Sequence, residues 1–383
     1  MTHHVNTYNR FPVEFVRGEG TYLFDSENNK YLDFLSGIAV TGFGHNYPEL
    51  VNAAKNQIDN LWHVSNLFIS TPQEKLAEKL STISNLDKVF FCNSGTEANE
   101  AAIKFARKWG NGRSTIITAE GGFHGRTMGS LSASAQEKLW DGFHPLTPGF
   151  VSVPYDNIDA IKNKIDKTIV AILIEPIQGE NGIIIPDEDY LKNIRNICDE
   201  NNLLMIVDEI QTGIGRTGKY FAHQYSEIIP DIITVAKGIA NGLPLGATIC
   251  SNKVNEAITP GSHGSTFGGN PVAVSVANKV LDLLAVDVLN NISKLGNKIS
   301  EEIITKNVKG IKEVRSKGLI IGIEFTKDID VKKLASEFLQ NKIIVGTAGN
   351  NVLRLLPPFI IDDKHISIFI KSLRNSLDNI LSN

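Results

Sequence analysis

The stretch Asp231-Ile232-Ile233-Thr234-Val235-Ala236-Lys237 decides the fold. Its apolar, β-branched run is what a strand buried on both faces requires, and it ends in a lysine. Upstream, Leu203-Leu204-Met205-Ile206-Val207 makes a second such run and ends in Asp208. In an open α/β sheet, ligands bind in the crevice beyond the carboxyl ends of the strands, so Lys237 and Asp208 are directed to one place. A lysine amine, once neutral, condenses with an aldehyde, and an aspartate can hold a pyridine nitrogen protonated. The pair suits pyridoxal phosphate. A strand-end Lys or Asp on its own is more often simply solvated, so the reading needs further residues.

Working outward, short apolar runs alternate with helical patterns between about residues 87 and 250: Val89 to Cys92, Thr115 to Ala119, Ile169 to Ile174, Leu203 to Val207, Ile232 to Val235 and Ala247 to Cys250. That alternation predicts a mostly parallel sheet covered on both faces. Before it, Gly20 to Asp25 and Lys30 to Phe34 read as a hairpin around Ser26-Glu27-Asn28-Asn29. After it, a long helix from about Pro271 leads to strand-like segments at Gly318 to Phe325 and Val352 to Leu356, then to a helix near His365 to Leu381. The expected division is residues 1–46 and 285–383 as a small α+β domain built from both chain ends, beside a large domain spanning 47–284.

Composition sets the class. With 42% hydrophobic and 21% charged residues over 383 positions, the chain has ample material for a core. A net charge of −4 with both signs dispersed argues against nucleic-acid binding. The longest uninterrupted apolar stretch, Ile169 to Ile174, is too short to span a bilayer, and the start, Met1-Thr2-His3-His4, has no signal-peptide core. The expectation is a cytoplasmic protein without membrane partners. Cys92, Cys198 and Cys250 are odd in number and widely spaced, which fits buried thiols rather than disulfides or a metal site.

Two motifs support the strand-end pair. Ser94-Gly95-Thr96-Glu97-Ala98-Asn99 follows a strand and opens a helix, so its backbone N–H groups can receive a phosphate, although a plain helix cap explains the same residues. Gly121-Gly122-Phe123-His124-Gly125-Arg126-Thr127 also follows a strand, and offers an aromatic to stack on a pyridine ring and an arginine to clamp a carboxylate. Gly213-Ile214-Gly215-Arg216-Thr217-Gly218 matches G-x-G-x-x-G, but Asp208-Glu209-Ile210-Gln211 separates it from the strand and no crossover helix follows, so a dinucleotide site is rejected.

These motifs, with Glu175-Pro176-Ile177-Gln178-Gly179-Glu180, Ala236-Lys237-Gly238 and Ser265-Thr266-Phe267-Gly268-Gly269-Asn270-Pro271, occur in the order seen in the class III pyridoxal-phosphate aminotransferases, which the chain resembles from about Tyr8 to Pro358. The resemblance implies a fold-type I PLP-dependent transferase with a seven-stranded, mostly parallel sheet. It implies that Lys237 bonds the cofactor and moves the proton, Asp208 faces the ring nitrogen, Gln211 the ring oxygen, and Phe123 stacks on the ring. Gly95 and Thr96 would hold the phosphate with Thr266 from the neighbouring subunit of a homodimer. Arg126, with Ser265 nearby, would bind the carboxylate of the amino donor. Arg354 would bind that of glutamate or 2-oxoglutarate, and Glu180 would neutralise it when the donor is bound. One departure is Ile239-Ala240-Asn241-Gly242 after the lysine, where relatives often carry a more glycine-rich run.

The activity so implied is transfer of the δ-amino group of N2-acetylornithine to 2-oxoglutarate. Gly37 to Val40, Gly44-His45 and His63 to Phe68 carry that substrate-level resemblance. Ornithine, 4-aminobutyrate and succinyldiaminopimelate are rival donors. An aminomutase of the same fold would need no second keto acid, but such relatives generally lack an arginine at the place of Arg126. A binding protein that had lost catalysis would not be expected to keep Lys237, Asp208 and Gln211 together.

Overall fold

Strands Ile169–Ile174, Leu204–Asp208 and Ile232–Val235 are buried along their whole length. Alternate residues of the first two feed two separate cores, while Ile233 and Val235 of the third join a further one. Ile172, Met205 and Val207 pack with Tyr190, Ile194 and Ile197 on one face of the sheet. Leu173, Leu204 and Ile206 pack with Ala101, Ala102 and Phe105 on the other. With both faces covered by helices, neither side of the sheet has to be polar, which is why these strands read as continuous apolar runs.

The computed structural model describes residues 3–306 and 308–382, so Met1, Thr2, Asn307 and Asn383 within the expected domains lie outside the described residues. Its central sheet has seven strands in the order Lys88–Cys92, Gly246–Cys250, Ile232–Val235, Leu204–Asp208, Ile169–Ile174, Thr115–Ala119, Phe150–Val153. Gly246–Cys250 runs antiparallel to both neighbours and the remaining pairs are parallel. The mostly parallel sheet of a fold-type I, α/β transferase is therefore present. Among the described residues no helix is long and apolar enough to cross a membrane.

Two smaller sheets complete the chain. Phe15–Glu19, Tyr22–Asp25 and Lys30–Asp33 form an antiparallel set joined, in parallel, by Ile343–Ile344 from far along the sequence. The expected hairpin turn is held by Asp25, whose carboxylate accepts from the amides of Glu27 and Asn29 at 3.0 and 2.8 Å. Ile311–Lys317, Ile320–Phe325, Val352–Leu355 and Gly346–Ala348 make an antiparallel sheet. The single long helix expected from Pro271 is in fact two, Pro271–Leu283 and Val286–Thr305. Between them the Leu284 carbonyl accepts from the Tyr220 hydroxyl at 3.0 Å instead of from the next helical turn.

Candidate active site

Asp208 ends its strand and is 3% exposed. A buried carboxylate needs donors, and Asp208 has three. Its Oδ2 accepts from Asn99 Nδ2 and pairs with His124 Nδ1, each at 2.8 Å, while its Oδ1 accepts from the Ile210 amide at 3.0 Å. Asn99 is itself fixed. It donates to the His124 carbonyl at 2.7 Å and accepts from Thr234 Oγ1 at 2.8 Å. Thr234 stands opposite Asp208 in the parallel ladder, so the same strand that delivers Lys237 also anchors the aspartate's partner.

Lys237 follows the strand Ile232–Val235 at the start of a short 3-10 turn and has a φ of 44°, a left-handed conformation that strains a non-glycine residue. Burial pulls its amine below the usual lysine range, and Arg354 reinforces that against Glu180, Asp208 and Glu175. Burial alone would also lower the His124 imidazole, but the hydrogen bond and charge of Asp208 with the charge of Glu175 raise it. The imidazole and the carboxylate thus hold each other in place, His124 Nδ1 lying 2.8 Å from Asp208 Oδ2. Glu175, the residue after the strand Ile169–Ile174, accepts from the Phe123 amide at 2.9 Å, and burial beside Asp208 pushes its carboxyl up to about 8.

Together these strand ends surround a cavity of about 420 Å³ lined by Gly95, Thr96, Phe123, His124, Arg126, Glu175, Asp208, Gln211 and Lys237, among others. The helix Gly95–Trp109 opens onto it, with Ser94 Oγ accepting from the Glu97 amide at 3.3 Å. A Cβ at Gly95 would lie 2.9 Å from the Ile210 side chain, so only glycine leaves the helix start open here. Thr96 Oγ1 shares a 2.7 Å hydrogen bond with Thr127 Oγ1. The Arg126 guanidinium lies 5.5 Å from the Phe123 ring centre, at the exposed rim.

Gln211 links this cavity to an ion pair between buried Arg354 and partly exposed Glu180. Its amide donates to Glu180 Oε1 at 3.1 Å and accepts from Arg354 Nη1 at 3.3 Å, and Arg354 Nη1 also binds the Glu180 carboxylate directly. Burial would raise the Glu180 carboxyl, but Arg354 holds it below the usual range. Arg354 is 3% exposed and its Nε has no partner among the described residues, so the guanidinium retains a free donor. Ser265 and Thr266 sit elsewhere. They line a separate depression with His63, Asn66 and Gln73, and Asn93 of the Lys237 cavity reaches it, its Nδ2 donating to Ser265 Oγ at 3.3 Å.

His124, Asn99, Glu175 and Thr234 received no role from the sequence. Glu175 was open to the argument used for Lys237 and Asp208, since it too ends a buried strand. The roles of Asn99 and Thr234 depend on a helix and a strand meeting, which no local pattern reports.

The chain matches the model of the family described as Aminotransferase class-III over residues 4–377. It belongs to the class III aminotransferases. It is 46% identical to the acetylornithine aminotransferase of Nitrosomonas europaea, with 93% of each chain covered. Among solved structures it is similar to the ornithine aminotransferase of Toxoplasma gondii, with a TM-score of 0.94 and 31% identity over 99% of this chain and 93% of that one. The N-acetylornithine aminotransferase of Stenotrophomonas maltophilia superposes with a TM-score of 0.85 and 33% identity, 98% of each chain being covered. Class III aminotransferases depend on pyridoxal phosphate, and the residues present fit it: a buried amine held toward neutrality, a buried aspartate with fixed partners, an aromatic flank and a glycine-opened helix start share one cavity.

Proposed function

We propose that this aminotransferase moves the δ-amino group of N2-acetyl-L-ornithine to 2-oxoglutarate, giving N-acetyl-L-glutamate 5-semialdehyde and L-glutamate, a step of arginine biosynthesis. The observation that carries this reading is the Glu180–Arg354 pair beside the cavity of Lys237 and Asp208. One site must take an ω-amine and then a dicarboxylic keto acid. Arg354 is buried and would be left without its carboxylate, so the pair stays closed until a second carboxylate replaces Glu180.

Pyridoxal phosphate, when bound, supplies an electron-accepting ring that acidifies the C–H beside the reacting amine. Lys237 would hold the cofactor and then move the proton at the donor's δ-carbon. Asp208, held by His124 and Asn99, would face the ring nitrogen and keep it protonated, and Gln211 would meet the ring oxygen. Phe123 would flank the ring, while Gly95 and Thr96 would receive the phosphate. Arg126 at the rim would bind the donor's α-carboxylate and Arg354 the carboxylate of 2-oxoglutarate, while Ser265, in the depression with Thr266, would come near that ligand from the second copy.

Thr266 completes the phosphate site only from a second copy of the chain, and a homodimer is part of the proposal. Support comes from the exposed Trp62, Leu67, Phe68 and Phe267 near the depression that holds Thr266, an apolar surface that a partner would cover. Three free, buried cysteines suit the reducing cytoplasm, where we place the enzyme. The division into residues 1–46 with 285–383 and 47–284 is retained.

The test is single-turnover absorbance of the holoenzyme with N2-acetylornithine, ornithine, 4-aminobutyrate and succinyldiaminopimelate, each without keto acid. N2-acetylornithine should bleach the cofactor's visible band fastest, and 2-oxoglutarate should restore it. A faster rival donor would replace the substrate assignment.

A further inference from the structure

Glu180 lies on a loop that leaves and returns between Gln178 and Ile184, whose amides and carbonyls bond each other at 3.0 and 3.1 Å. Such an excursion has few internal bonds, so its shape must be set from outside. Three neighbouring strands supply the seat. Arg315 pairs with Gly322, and Gly322 pairs with Arg354, so the three stand in one row across the sheet and the two arginines project from the same face. Between them Gly322 leaves a slot. A Cβ there would come within 2.9 Å of the Ile183 side chain and 3.2 Å of the Gly182 carbonyl oxygen.

The loop fills that slot with an arginine gripping each end. Arg354 binds the Gly179 carbonyl at 3.3 Å together with the Glu180 carboxylate. Arg315 donates from Nη2 to the Gly182 carbonyl at 2.9 Å and from Nε to the Ile183 carbonyl at 3.2 Å. Its Nη1 binds the carboxylates of Glu313 and Glu324, which hold the fork in orientation. The Gly349 amide adds a bond to the Glu180 carbonyl at 2.9 Å. Gly182 and Ile183 have φ values of 109° and 55°, and a buried β-branched residue stays in that region only if its surroundings impose it.

We propose that Arg315 is a positioning residue of the transamination, fixing the loop that carries Glu180 and so keeping the carboxylate over Arg354 while the single-carboxylate donor occupies the site. This rests on the gate described under the proposed function. With the backbone pinned, opening for a dicarboxylate is a movement of the Glu180 side chain alone. With the backbone released, Glu180 covers Arg354 less well and the donor meets an unneutralised guanidinium.

Arg315→Lys tests this, because lysine keeps the charge for Glu324 and loses the fork that spans two carbonyls. The two half-reactions of the holoenzyme are measured separately in single turnover. The expected result is a fall of about tenfold in kcat/KM for N2-acetylornithine with the value for 2-oxoglutarate held within about twofold. Amide exchange in segment 178–184 should accelerate by about tenfold or more. In a Glu180→Ala background, Arg315→Lys should leave the donor to keto-acid ratio unchanged. Gly322→Ala, which displaces the loop without altering any charge, should reproduce the shift in ratio. Equal slowing of both half-reactions, unaltered exchange, or effects of Arg315→Lys and Glu180→Ala that simply add would overturn the role. If Glu180→Ala alone leaves the ratio where it was, the gate falls and the role with it. If Glu180→Ala shifts the ratio and Arg315→Lys does not, only the assignment of Arg315 falls.

Discussion

Two arginines serve the site from different depths, Arg126 lining the cavity at its exposed rim and Arg354 buried behind Gln211. Losing a charged hydrogen bond to a carboxylate costs about 1.5–3 kcal/mol, so Arg126→Ala should raise KM for the donor by about 10- to 100-fold with little effect on 2-oxoglutarate. Arg354→Ala should show the opposite split in steady-state kinetics, and equal effects from both would mean the two clamps are wrongly assigned. The sequence singled out Arg126 by its motif and Arg354 by the family resemblance. Glu175 follows a buried strand as Lys237 does, but its burial beside His124 and Asp208 is a tertiary fact that the strand pattern does not carry. Its carboxyl rises from 4.5 to about 8, so between those values the folded state keeps a proton that the unfolded chain has lost. Stability should therefore fall as pH rises through that window and level off above it, and the raised His124 acts in the same direction. Thermal unfolding of the cofactor-free protein from pH 5 to 9 checks this. Glu175→Gln should flatten the slope and gain on the parent as pH rises, whereas parallel curves would rule the buried proton out.

At the scale of elements, the helix Gly95–Trp109 does two jobs with one terminus. Ser94 caps it, and Glu97 reaches back to the Asn93 amide at 2.7 Å, so the first turn is satisfied while Gly95 and Thr96 face the cavity. Ser94→Ala should cost about 1 kcal/mol in urea unfolding. Gly95→Ala should instead weaken cofactor retention, measured by dialysis and absorbance, because its Cβ meets Ile210 at 2.9 Å. Retention equal to the parent's would remove Gly95 from the phosphate site. Strand, turn and helix were readable here because apolar period and turn residues agree. Phe150–Val153 escaped notice because only Val153 is fully buried, and Ile311–Lys317 because its residues are half-exposed or exposed throughout. At the break the Leu284 carbonyl accepts from Tyr220, distant in sequence, a contact that no helical periodicity reveals.

For the whole molecule, Thr266 lies outside the cavity of its own chain, and the dimer proposal turns that into a measurement. Hybrids of a Lys237→Ala chain and a Thr266→Ala chain should contain one intact site, formed by Lys237 of one copy and Thr266 of the other. Cofactor titration of the hybrid should find one tight site per dimer, and none would place Thr266 in its own subunit's affairs. The large sheet was foreseeable because its strands are continuous apolar runs, but the company kept by Ile343–Ile344 was not, because two residues carry no pattern. That pairing, Ile343 against Leu32, has a consequence for synthesis. A ribosome adding about 5–20 residues per second needs roughly 15–60 s to cover the intervening chain. Throughout that interval the hairpin near the start offers an unpaired edge to anything nearby, so slower translation of the second half should increase dependence on chaperones.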